Sequence, residues 1–124
     1  MGTDPKPATE FTRASNAPVE LPFDDADFER ASRGLVAQID DGRIAMPGGH
    51  VVWDMSKYDF IQRDAPNPDT VDPSLWRQSQ LNAIHGLFEV GEGIWQARGY
   101  DISNITFIEG ATGWVIIDPL TVEP

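Results

Sequence analysis

A chain of 124 residues is long enough for one small domain, and its 20 acidic against 9 basic side chains give a formal net charge of -11. That balance repels phosphate backbones and anionic membrane surfaces, so neither a nucleic acid nor a membrane is an expected partner. With no cysteine, the chain has no disulfide, no thiolate metal ligand and no cysteine nucleophile.

Residues 1–22 contain no apolar run of the length that a signal peptide or a membrane span requires, and they read as a flexible tail. The chain as written is therefore expected in the cytoplasm, or in the periplasm or outside the cell if a segment precedes it. From Asp24 to Ile39 the spacing of Phe28, Ala31, Leu35 and Ile39 predicts a helix with one apolar stripe. Asp24 and Asp25 suit its unpaired first amides, and Asp40-Asp41-Gly42 supplies a stop. Gly34 is the weak point of that helix.

Pro47-Gly48-Gly49 predicts a turn and Val51-Val52-Trp53 a short extended run, with Asp54 capping a brief helical turn through Tyr58 to Ile61. Pro66 and Pro68 exclude regular structure from Asp64 to Asp69, because they lack amide donors and push their neighbours towards extended conformations. Asp72-Pro73 is a helix start, since the carboxylate accepts from free amides and proline fits the first helical position. That helix is expected to end near Asn82, with Leu75, Trp76 and Leu81 buried and a turn at Gly86.

Beyond residue 91 the period changes. Residues 93–99, 105–108 and 114–117 are rich in β-branched and aromatic side chains and read as strands. Gly110 to Gly113 predicts a tight hairpin with glycines available for positive φ, and Asp118-Pro119 ends the third strand.

Residues able to do chemistry are few. His50 and His85 are the only histidines and have no metal-binding spacing. His85, in a helix-to-strand connection, reads as an imidazole bonded to nearby backbone, and His50, after a Gly-Gly turn, as solvated. No Gly-x-Ser-x-Gly element places a nucleophile. Trp53, Trp76, Trp95 and Trp114 read mostly as core.

The block from Asp72 through Trp76, Arg77, Gln78 and Ser79 to Asn82, followed by His85-Gly86-Leu87-Phe88-Glu89-Val90, resembles the segment ahead of the catalytic core in linear primary-alkyl sulfatases of the metallo-β-lactamase superfamily. Gly93 to Gly110 and Thr112 to Leu120 resemble that family's first core strands. The resemblance implies an α+β fold: a partial metallo-β-lactamase-type αββα sandwich, with a helical pre-core region at 23–90 and the first antiparallel strands at 91–124. It also implies a hydrolase that releases sulfate from long-chain primary alkyl sulfates such as dodecyl sulfate, using two zinc ions and a metal-activated water.

In that family the zinc ligands begin with a His-x-His-x-Asp-His motif beyond a strand ending in an aspartate like Asp118, and these 124 residues contain no such motif. No metal and no hydrolysis are therefore expected of this chain alone. Three positions are implied near the cleft: Tyr100 and Asn104, in a loop that would touch substrate, and Asp118, which would orient a metal ligand. An ordinary loop with an Asx turn, and a turn before proline, explain the same letters. The alternative reading is a non-catalytic interaction module or one half of a split metallo-hydrolase, associating with the missing C-terminal portion or with itself.

Overall fold

The computed structural model describes residues 6–17 and 24–119. Its longest helix, α3 (Pro73–Asn82), starts where local chemistry puts it: the Asp72 carboxylate accepts from the Ser74 and Leu75 amides at 2.9 and 3.4 Å, and Pro73 opens the first turn. Trp76 is its buried contact. Leu75, expected inside, is turned to the surface.

The helix predicted from Asp24 to Ile39 is shorter than its apolar stripe implies. It runs only over α2 (Ala26–Ser32), with Phe28 as its buried residue. Gly34 follows at φ +78, its carbonyl accepting from the Glu89 amide at 2.8 Å, and a Cβ there would collide with the Glu89 carbonyl. The left-handed turn ends the helix and sends Leu35–Ala37 into a strand, β1, so Leu35 and Ile39 never join the stripe. The sequence signalled no element before Asp24, yet Thr9 caps a short helix, α1 (Glu10–Ser15), and Arg13 ties it to Asp69 at 2.7 Å. The rest of the region read as a tail, 1–5 and 18–22, lies outside the described residues.

Two strands, β2 (Arg43–Ala45) and β3 (Val51–Asp54), form a separate hairpin across the predicted Pro47-Gly48-Gly49 turn. Asp54 then caps a 3-10 turn, Met55–Tyr58, by accepting from the Ser56 amide at 3.0 Å.

The main sheet consists of β1, β4 (Gly86–Gly91), β5 (Ile94–Arg98), β6 (Ile105–Glu109) and β7 (Trp114–Ile117), in the order β1-β4-β5-β6-β7. Every pair is antiparallel, and the three strands predicted in the last third are neighbours in the register Trp95–Phe107–Ile116. The fold is α+β, as expected. The sheet draws strands from both sides of residue 90, because β1 and β4, neither read as a strand from the sequence, complete it.

Alternation of side chains gives the sheet two faces. One carries Leu87, Trp95, Phe107, Trp114 and Ile116; the other carries Phe88, Gln96, Arg98 and Thr106. The hairpin between β6 and β7 closes through the Gly110 amide and the Gly113 carbonyl at 2.8 Å. Neither glycine takes the positive φ expected there. Among the described non-glycine residues that conformation falls on Asp118, at φ 57, where β7 ends.

Candidate functional site

The loop after β5 is fixed from below. Tyr100 is buried, its hydroxyl accepting from the Ile39 amide at 3.0 Å and its ring meeting the edge of His85 at 5.6 Å. His85 donates from Nδ1 to the Ala83 carbonyl at 3.0 Å, the backbone-bonded state expected of it, and its own carbonyl accepts from Gln38 at 2.8 Å. Gly99, at φ +81, makes the close approach possible, since a Cβ there would stand 2.5 Å from the His85 Cβ. Trp53 donates its indole N–H to the Gly99 carbonyl at 2.8 Å, and the buried Asp101 carboxylate accepts from the Ile102 amide at 2.6 Å.

The sequence-derived candidates therefore separate. Tyr100 joins His85 in the packed base of the loop, while Asn104 is exposed and lines a polar cavity of about 690 Å³ between α2, α3 and the end of β5. Asp118 is exposed at the end of β7. His50 is exposed in the β2–β3 hairpin. No hydrogen bond or ring contact among the described residues joins Asn104 or Asp118 to the Tyr100–His85 pair. Nor do the described residues include a group of three or more His, Asp or Glu placed to hold a metal ion, so those present do not fit a zinc site.

Two aspartates are held below the ordinary carboxylate range by their caps: Asp54 by the hydroxyl of Ser56, assisted by its amide and by Arg43, and Asp72 by the hydroxyl and amide of Ser74. Both shape helix ends.

An apolar opening lies on the sheet. Leu87, Trp95, Phe107, Trp114 and Ile116 line a recess of about 440 Å³, with Trp95 and Trp114 packed at 5.4 Å between ring centres. Trp114, read from the sequence as core, is 56% exposed. Its neighbours Val115, Ile116 and Ile117 are 50–56% exposed as well, so β7 is uncovered on both faces. Strands that lack their second layer are expected from the sequence to expose an apolar face and an open edge, although no single residue marks where. No helix among the described residues is long and apolar enough to cross a membrane.

The antiparallel sheet thus leaves the apolar strand β7 open at its edge, with the rest of that face half-buried. Comparison with known proteins shows what the chain is similar to. The chain is 51% identical over 118 residues to a linear primary-alkylsulfatase of Pseudomonas sp., covering 93% of this chain and 18% of that protein. It is 53% identical over 102 residues to the alkyl/aryl-sulfatase BDS1 of Saccharomyces cerevisiae, and 52% identical over 121 residues to an (R)-specific secondary-alkylsulfatase of Pseudomonas sp.. The solved structure of the stereoselective inverting sec-alkylsulfatase Pisa1 from Pseudomonas sp. superimposes with a TM-score of 0.83 at 53% identity, covering 94% of this chain and 18% of that one. No protein-family profile matches. The chain is thus a relative of the alkylsulfatases, spanning 16–18% of the length of those it matches.

Proposed function

We propose that this chain is the amino-terminal portion of a zinc-dependent alkyl sulfatase, and that its sheet is one layer of a metallo-β-lactamase-type αββα sandwich completed by the remainder of the enzyme. The observation that carries this reading is β7, whose four apolar residues are about half exposed on both faces in a chain whose relatives are some five to six times longer. Such a strand calls for a neighbour along its edge and a layer across its face.

In this reading the residues that hold zinc lie in the remainder, and the metal supplies there the activation of water and the neutralisation of the sulfate oxygens. The part left to this chain is architectural. Tyr100 holds the loop in place, Asn104 faces substrate from that loop, and Asp118 ends the strand from which the metal site is built. The substrate class is long-chain primary alkyl sulfates, whose tails require an apolar wall.

Mixing the chain with a polypeptide that continues past residue 124 and carries the His-x-His-x-Asp-His motif tests this. With zinc present, sulfate release from dodecyl sulfate is expected from the mixture and from neither part alone. Sulfate release, or tightly held stoichiometric zinc, in the 124 residues by themselves would overturn the reading.

A further inference from the structure

The polar cavity lined by Asn104 has a feature that the sulfatase reading does not use. Arg98, which shares its sheet face with Phe88 and Gln96, also lines it. The guanidinium lies 4.4 Å from the ring centre of Phe88, whose side chain is fully buried, and its Nε donates to the side-chain oxygen Oε1 of Gln96 at 2.6 Å. Gln96 is itself anchored, its amide donating to the Thr106 hydroxyl at 3.2 Å. The ring contact and the Nε bond together restrain the guanidinium at two points.

The other charges on the wall are already engaged. Arg77 donates to Asp27 at 2.9 Å and to the Asp24 carbonyl at 2.6 Å, and Asp101 accepts from the Ile102 amide. The two terminal nitrogens of Arg98 have no acceptor among the described residues. A cation held rigid, half-buried and with its forked donors unspent matches two oxygens of one anion.

We infer that Arg98, with the Asn104 amide on the same wall, forms an oxyanion-binding subsite, taking a carboxylate or a tetrahedral sulfate or phosphate group through a bidentate pair. The site uses the sheet face opposite Trp95 and Phe107 and shares Asn104 with the loop proposed to face substrate, but its test reads anion binding by this chain alone, so it can fail without the enzyme reading failing.

The test is a titration of the full chain with sodium sulfate at constant ionic strength maintained with chloride, following the Arg98 Nε–H and Asn104 amide resonances. Parallel arms with phosphate and acetate separate tetrahedral from planar ligands. Saturable shifts confined to this wall are expected, weakened about tenfold in Arg98→Lys, which keeps the charge and loses the fork. Because Arg98 also stacks on Phe88, a second variant is needed: Asn104→Asp leaves that stack alone and sets a negative charge on the wall, and it is expected to abolish binding. Shifts that never saturate, that chloride reproduces, or that persist unchanged in Asn104→Asp would show Arg98 to be merely solvated and overturn the proposal.

Discussion

The two edges of the main sheet are finished differently. On one side β1 is three residues long, slips register between Leu35 and Ala37, and is bent into place by Gly34. On the other, β7 keeps an unbroken register with β6 through Trp114, Val115, Ile116 and Ile117, four apolar residues in a row. A short, irregular strand offers a poor template for further pairing, whereas a regular apolar one offers a good template. The difference teaches that exposure alone does not mark an interface: Val36 in β1 is as exposed as Val115 in β7, yet only β7 combines exposure with regular geometry and an apolar recess beside it.

Four measurements can break or sharpen this contrast. The largest effect is expected at Phe88, where β1 docks on β4. Phe88→Ala should cost about 3–5 kcal/mol in urea unfolding and loosen β1 together with the strands beyond β4, and a cost below about 1 kcal/mol would show that Phe88 is not the core contact its burial implies. Gly34→Val comes next. Its positive φ and the nearby Glu89 carbonyl predict a loss of about 1–3 kcal/mol. Hydrogen-exchange protection should vanish from β1 and survive across β6 and β7.

On the β7 side, Val115→Lys with Ile117→Lys should change the stability of the isolated chain by no more than about 0.5 kcal/mol per site, while lowering light scattering and blocking recovery of sulfate release in the mixing experiment. A large loss of stability instead would mean that β7 is already covered.

The smallest effect is the acid limb of stability. Asp54 and Asp72 are held below the usual aspartate value, first of all by the hydroxyls of Ser56 and Ser74. A lowered folded pKa gives stability that is present above the unfolded value of about 3.9 and fades as pH falls through the folded one. Urea midpoints should therefore drop below about pH 4, and Asp72→Asn should flatten part of that slope.

What was legible in the sequence was the part made by near neighbours. The start of α3 is written in Asp72-Pro73, the cap of the 3-10 turn in Asp54, and the β6–β7 hairpin in two flanking runs with glycines between. What was not legible depended on remote partners. Leu35 looked helical because nothing within one turn of it reveals Phe88, with which it pairs, and Gly34 read as a flaw in a helix rather than as its end. The candidate site shows the same division. The backbone bond of His85 was foreseeable from its loop, whereas Tyr100 took its role from Ile39, an amide sixty-one positions away. The Arg98 stack became visible only once β4 was known to lie beside β5.

The pairing of Leu35 with Phe88 also bears on how the chain assembles as it is made. Successive strands from β4 to β7 meet across short connections, but β1 must wait until about fifty further residues have emerged, and that closure carries the loop entropy of the whole intervening stretch. During translation the residues from α2 onward thus spend an interval without their sheet partner, a window in which chaperones or proteases would find Leu35 and Val36 before β4 does.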